Sequence, residues 1–114
     1  MRLLAAASLL IVLLQASTAG LAVMVDGRFH AWHSLGGKTG SLVVVLTAVA
    51  AWLWSGDRTA RLYALLLVVF YHLQAVWLLA GQVEALHWMR ALHVPTALFV
   101  FQFAWLLYGK SASR

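Results

Sequence analysis

The sequence predicts an all-α integral membrane protein, a four-helix bundle with up-down-up-down topology. Four stretches of the 114-residue chain contain no charged residue: 3–25, 39–56, 62–83 and 91–109. At about 1.5 Å rise per residue, each approaches the roughly 30 Å thickness of a bilayer hydrocarbon core. The composition agrees, because 64% hydrophobic and 10% charged residues would coat a soluble domain of this size in apolar surface. We therefore expect one transmembrane domain with helices at about 3–25, 29–55, 61–83 and 86–108.

The composition also excludes several kinds of chemistry. The chain has no cysteine, which rules out disulfides, thiolate metal sites, thiol catalysis and covalent c-type haem attachment. Its formal charge of +5 reflects eight basic residues against three acidic ones, and the lysines and arginines lie near the ends of the stretches without forming a basic run. We therefore expect the lipid bilayer as a partner, and no nucleic acid.

The first helix begins like a secretory signal peptide, with a basic residue, an apolar run and small residues at 16–19. We expect it to be retained, because cleavage would leave three spans and discard Gln15, a polar residue at membrane depth. With four spans, five basic residues lie on one side of the membrane and three on the other. The two sets are Arg2, Arg58, Arg61, Lys110 and Arg114 against Arg28, Lys38 and Arg90. This bias predicts a plasma (inner) membrane protein with both termini in the cytoplasm.

The fourth helix cannot begin at its proline. The segment 95–108 would extend only about 21 Å, which is too short to span a bilayer. We therefore expect the helix to begin near Ala85, with His93 about two turns inside it. Pro95 would then bend the helix by removing one backbone bond and freeing the Ala91 carbonyl.

The second helix has the same difficulty, and a start near Phe29 places His33 about one turn inside, at a depth comparable with His93. A weak internal repeat supports this match, because Gln15 precedes His33 by 18 residues and Gln74 precedes His93 by 19. Two pseudo-repeated hairpins related by an axis along the membrane normal would place the histidines at equal heights, facing each other. Chance similarity between apolar segments explains the repeat equally well.

Small residues follow His33 on its own helix face, at Gly36, Gly37 and Gly40. They leave a slot beside the imidazole. Close helix packing alone can use such a slot. A flat macrocycle held between imidazoles of the second and fourth helices needs such a slot too. Axial ligation by two neutral imidazoles is the usual way to hold a non-covalent haem b in a helical bundle, and here we expect the imidazoles of His33 and His93.

Other groups would assist such a site. Lys38 and Arg90, near the outer surface, are placed to meet haem propionates, although interfacial anchoring explains them as well. The second ring nitrogen of each ligand histidine needs a partner, for which a backbone carbonyl or Thr96 could serve.

The chain resembles the heme A synthase family. In that family each of the two halves is a four-helix bundle, which binds haem between histidines at the outer ends of its second and fourth helices. The matching residues are Gln15, Ala19, Gly20, His33, Gly36, Gly37, Gln74 and His93. The resemblance implies a half-length relative, a b-type cytochrome-like membrane protein with His33 and His93 on the haem iron. The family has a catalytic glutamate three residues before the first ligand, where this chain has His30, so the resemblance does not extend to haem oxygenation.

The expected function is electron transfer by one bis-histidine haem near the outer face, with a redox partner or a larger membrane complex. No catalytic constellation is visible, and an enzymatic role is limited to a component of a membrane oxidoreductase. One alternative is a small accessory subunit whose histidines only make hydrogen bonds. Another is an outer-face copper or zinc site. Its candidate ligands are His30, His33, His87, His93, Met24, Met89, Asp26 and Glu84.

His72 is the polar residue nearest the middle of the membrane, about 16 Å along the third helix from Arg61. An ionisable side chain at that depth is costly and needs a partner. We expect it to form a hydrogen bond with Gln15 or another inward polar group. His30 and His87 are expected at the membrane interface, beside belt tryptophans.

Overall fold

A computed structural model of the chain describes residues 1–112, so the predicted position of Arg114 lies outside the described residues. Its elements are α1 (Arg2–Met24), α2 (Phe29–Trp54), α3 (Arg58–Ala80), a 3-10 helix (Glu84–Leu92) and α4 (His93–Ala112). The described part of the chain contains no strand, and the predicted all-α four-helix fold is confirmed. Each helix packs against the next and α4 packs against α1, so α1 and α3 occupy opposite corners of the bundle, as do α2 and α4.

Four segments are long and apolar enough to cross a membrane, the fourth comprising the 3-10 helix together with α4. The outer surface of the bundle agrees with this assignment. Large apolar side chains stand exposed on it, with Leu3 86%, Trp54 73% and Leu98 68% accessible. A water-facing bundle would place polar residues there, whereas lipid is a suitable solvent for such a surface.

Small residues dominate the contacts between helices. Fully or almost fully buried alanines occur on every α-helix, at Ala5, Ala51, Ala64 and Ala104. Because membrane helices gain no hydrophobic driving force from one another, close backbone approach at small residues is how they gain packing energy. Larger side chains such as Leu67 fill the remaining space along the axis of the bundle.

One polar contact is buried within this apolar core. Ser8 Oγ and Thr47 Oγ1 are 2.8 Å apart, and both side chains are inaccessible to solvent. The Thr47 hydroxyl also lies 2.8 Å from the Val43 carbonyl and 3.2 Å from the Leu4 carbonyl. This cluster joins α1 to α2 near the end of the bundle opposite the histidines.

The third helix begins three residues before its predicted start at 61, because Asp57 caps it. The Asp57 Oδ1 atom accepts hydrogen bonds from the backbone amides of Thr59 at 2.8 Å and Ala60 at 3.3 Å. A side-chain acceptor at this position satisfies amides that have no partner within the helix. Arg58 is therefore helical rather than part of the loop.

The fourth span differs from the prediction. Residues Glu84–Leu92 form a 3-10 helix without a single buried residue, and α4 begins at His93. Pro95 consequently lies in the first turn of α4, where the missing N–H removes no α-helical hydrogen bond. The predicted α-helix from Ala85 with a proline bend at Ala91 is therefore wrong, and His93 is the first residue of its helix instead of lying two turns inside.

Candidate functional site

The two histidines matched by the sequence repeat meet in the structure. The ring centroids of His33 and His93 are 6.4 Å apart, with an angle of 75° between the ring planes. His33 lies in the second turn of α2 and His93 opens α4, so the rings approach across a diagonal of the bundle. Both side chains are half-buried. The pair is thus partly shielded at one end of the bundle.

Each imidazole is oriented by a backbone carbonyl of the preceding helix. His33 Nδ1 lies 3.1 Å from the Gln15 carbonyl oxygen, and His93 Nδ1 lies 3.4 Å from that of Gln74. A carbonyl only accepts, so each ring donates through a protonated Nδ1. The lone pair of a neutral imidazole then resides on Nε2, the nitrogen free to bind a metal.

The same contacts give the sequence repeat a structural meaning. Gln15 on α1 relates to His33 on α2 as Gln74 on α3 relates to His93 on α4. The histidine on the second helix of each hairpin donates to the glutamine carbonyl of the first. The two hairpins are equivalent at this level, although a 3-10 helix replaces the start of the α-helix in the second.

The first hairpin carries two additional hydrogen bonds around its histidine. Gln15 Nε2 donates to the backbone carbonyl of His33 at 3.0 Å. Thr18 Oγ1 lies 3.3 Å from His33 Nδ1, close enough to share the proton with the Gln15 carbonyl. The sequence alone did not single out Thr18, although a hydroxyl one turn from Gln15 on an apolar helix could have indicated a polar partner there. His33 is therefore more firmly oriented than His93.

The glycines after His33 provide room for side chains of the neighbouring helices. A Cβ atom on Gly36 would lie 2.7 Å from Gln15 Nε2, and one on Gly37 would lie 3.4 Å from it. A Cβ atom on Gly40 would overlap the Tyr71 hydroxyl, which donates to the Gly37 carbonyl at 3.1 Å. The predicted slot is thus occupied by Gln15 and Tyr71, as the helix-packing alternative requires. The assignment of Gly36 and Gly37 to cofactor binding remains a prediction.

The two basic candidates lie in the same half of the bundle, with Lys38 about 7.5 Å further along α2 than His33. Lys38 and Arg90 are both exposed. The aliphatic part of Arg90 covers Gly81, where a Cβ atom would overlap the Arg90 Cγ. This contact ties the 3-10 helix to the end of α3 and holds Arg90 three residues before His93.

Thr96 does not hold the second nitrogen of His93, which was one of two expected partners. Its hydroxyl donates to the Leu92 carbonyl at 2.6 Å and accepts a hydrogen bond from Trp77 Nε1 at 3.0 Å. The other expected partner, a backbone carbonyl, is the one found. Thr96 instead fastens the first turn of α4 to α3, which helps to fix where His93 lies.

The remaining outer-face candidates do not converge. Asp26 is paired with Arg28, whose Nε donates to the carboxylate at 2.8 Å, and these bonds lower the pKa of Asp26 below its ordinary value. His87 Nδ1 is engaged with the Glu84 carbonyl at 2.7 Å. Across residues 1–112, no three His, Cys, Asp or Glu side chains are placed to hold a metal ion. The structure therefore gives no support to the copper or zinc site.

His72 lies apart from the histidine pair, and Gln15 is not its partner. Its Nε2 is 2.8 Å from Ser41 Oγ, and its Nδ1 is 2.8 Å from the Val68 carbonyl. Both ring nitrogens are thus satisfied, although the side chain is exposed on the surface between α2 and α3. His72 thus forms hydrogen bonds, as expected, with Ser41 and the Val68 carbonyl instead of Gln15.

Comparisons of the chain with protein-family models, curated proteins and solved structures found no match.

Proposed function

We propose that this chain is a membrane-embedded b-type haem protein in which His33 and His93 are the axial ligands of one haem, with electron transfer as its role. The observation that carries the proposal is the convergence of two imidazoles whose Nδ1 atoms are both engaged by backbone carbonyls. A pair of neutral imidazoles held in this way is the ligand set of a low-spin haem. The resemblance to heme A synthases supports the same ligands.

The distance between the rings fits this ligand set. Two imidazoles that bind one metal through Nε2 atoms at about 2 Å have ring centres about 6 Å apart. The rings of His33 and His93 have centroids 6.4 Å apart. Two ligands are sufficient for a haem, because the macrocycle supplies the other four. The absence of a third His, Cys, Asp or Glu among the described residues therefore does not count against it.

The chain's own residues have distinct roles in this proposal. His33 and His93 bind the iron, and the carbonyls of Gln15 and Gln74 hold the tautomer that presents Nε2. Lys38 or Arg90 pairs with the propionates at the surface. When bound, the haem supplies one-electron transfer, and a membrane redox partner or larger complex provides the electrons.

The membrane and the orientation are part of the same proposal. We assign the chain to the plasma (inner) membrane with both termini in the cytoplasm, because more basic residues lie at the end that carries Arg2, Arg58 and Lys110. The histidine pair then lies towards the outer leaflet.

A visible spectrum of the protein, purified from haem-sufficient cells, tests the proposal. We expect a Soret band and, on reduction, sharp α and β bands. His33→Ala and His93→Ala should each abolish the low-spin spectrum. The matched controls His30→Ala and His87→Ala should leave it nearly unchanged, because both residues are exposed and lie outside the pair. A normal reduced spectrum in His93→Ala would contradict the assignment.

A second candidate is a small accessory subunit of a membrane complex that binds no cofactor. The contact of Gln15 with Gly36 favours it, because the space expected beside His33 is filled by a side chain of the chain itself. The same purification discriminates the two candidates. A colourless, folded protein that copurifies with other membrane subunits would establish the accessory role and contradict the haem proposal.

A further inference from the structure

A groove lies at the opposite end of the bundle from the histidine pair, beside the connection between α2 and α3. It has a volume of about 330 Å³ and is lined by Trp52, Arg58, Arg61, Leu62 and Leu65. Its lining includes two arginines and, among the described residues, no acidic residue. The haem proposal uses none of these residues.

Arg61 is the most constrained group in the groove. Its Cζ lies 5.6 Å from the centre of the Trp52 ring, a cation–π arrangement that fixes the guanidinium beside the indole. Its Nε atom is buried and has no hydrogen-bond partner among residues 1–112. Because a molecule the size of water does not reach this atom, a ligand can contact Arg61 only through the terminal nitrogens of its guanidinium group.

The polarity of the groove changes along the membrane normal. Arg58, Arg61, Leu62 and Leu65 are spaced so that they share one face of α3. The arginines stand at the helix start, and Leu65 lies about 6 Å deeper than Arg61. A suitable ligand therefore has an anionic group at the interface and an apolar chain that extends into the hydrocarbon region.

We propose that this groove binds an anionic phospholipid. The phosphate lies between the guanidiniums of Arg58 and Arg61 and accepts hydrogen bonds from their terminal nitrogens, which matches the planar donor geometry of arginine. The acyl chain packs on Leu62 and Leu65, with the Trp52 ring at the level of the headgroup. Basic pockets on membrane-protein surfaces are a recognised way to select anionic lipids.

Native mass spectrometry of the purified full chain in detergent micelles tests this proposal. Phosphatidylglycerol and phosphatidylcholine with identical acyl chains are added in turn, and inorganic phosphate is added as a competitor. We expect phosphatidylglycerol to remain bound at least about fivefold more than phosphatidylcholine. Inorganic phosphate should not displace it, because the free ion has no apolar chain to fill the groove.

Variants locate the binding on the protein. Arg61→Gln and Arg58→Gln should each reduce the preference for phosphatidylglycerol about fivefold. Arg2→Gln is the matched control, since Arg2 is exposed at the same end but starts α1, at the opposite corner of the bundle from α3. It removes the same charge and should retain the preference. Because Arg58 is exposed, Arg58→Gln tests the site even if Arg61→Gln does not fold.

Three results would overturn the proposal. Equal retention of the two lipids would show that the groove does not distinguish lipids by the charge of their headgroups. If Arg2→Gln reduced the preference for phosphatidylglycerol as much as Arg61→Gln and Arg58→Gln do, the preference would come from the overall positive charge at this end of the bundle. Displacement by inorganic phosphate at concentrations comparable with the lipid would identify a phosphate-ion site instead.

Discussion

Gly40→Ala probes how closely α2 and α3 approach below the histidine pair. Gly40 is buried, and a Cβ atom there would overlap the hydroxyl of Tyr71 and lie 2.8 Å from its Cζ. The atoms that must move belong to an aromatic ring whose hydroxyl is held by the Gly37 carbonyl at 3.1 Å. The methyl group can therefore be accommodated only by displacing the ring and breaking that hydrogen bond.

The expected loss of stability follows from three contributions. Overpacking costs about 1–3 kcal/mol, the lost hydrogen bond about 0.6 kcal/mol, and the better helix propensity of alanine returns about 1 kcal/mol. The free energy of unfolding should therefore fall by between about 0.6 and 2.6 kcal/mol. Unfolding in mixed micelles with increasing dodecyl sulfate, followed by far-ultraviolet circular dichroism, measures this quantity.

Two controls make the result specific to the Tyr71 contact. Gly20→Ala adds the same methyl group within α1, where nothing lies within 4 Å, and should be neutral or slightly stabilising. In the Tyr71→Phe background, Gly40→Ala should cost less, because the overlapping hydroxyl is gone while the Cζ contact remains. The reasoning is refuted if Gly40→Ala is as stable as Gly20→Ala, or if its cost is unchanged by Tyr71→Phe.

The remaining predictions concern the buried polar contact and the topology. Thr47→Val should lower the unfolding free energy by about 0.6–1.7 kcal/mol, because it leaves the buried Ser8 hydroxyl without its partner; the exposed Thr39→Val is the control, and an equal loss there would contradict the prediction. Because the chain has no native cysteine, a single thiol reports its own side of the membrane. In intact cells, Gly27→Cys should react with an impermeant thiol reagent and Ala112→Cys should not, whereas the reverse pattern would invert the orientation.

The sequence was sufficient to predict the four helices, because the interruptions in its apolar stretches are charged and each stretch is of membrane length. The ends of the helices were less predictable. Asp57 draws the start of α3 forward by capping, an effect of a single side chain. The 3-10 helix was not predictable, because an amphipathic segment between two spans is equally compatible with an α-helix in sequence.

The meeting of His33 and His93 was predictable from the repeat, because the Gln-to-His spacing is nearly equal in the two hairpins. The matched depth did not contribute, since it assumed an α-helix from Ala85. The acceptors that orient them were predictable only in kind, because a backbone carbonyl leaves no trace in residue identity. The occupants of the space beside the glycines were not predictable. Whether Gln15 or a ligand fills the space beside Gly36 depends on a rotamer, and the glycine itself is compatible with either.

Because of the 3-10 helix before α4, the height of His93 in the bundle does not depend on the length of the connection between α3 and α4. Its nine residues extend about 18 Å at about 2 Å each, where an α-helix of the same length would cover only about 13.5 Å. The height of His93 is set instead by side chains that bury α4 against its neighbours, beginning with Thr96 and Val100. A residue inserted at the start of this segment, before the contact of Arg90 with Gly81, therefore changes the path of the connection and not the height of His93. A residue inserted between His93 and Thr96 would turn the imidazole by about 100° away from His33.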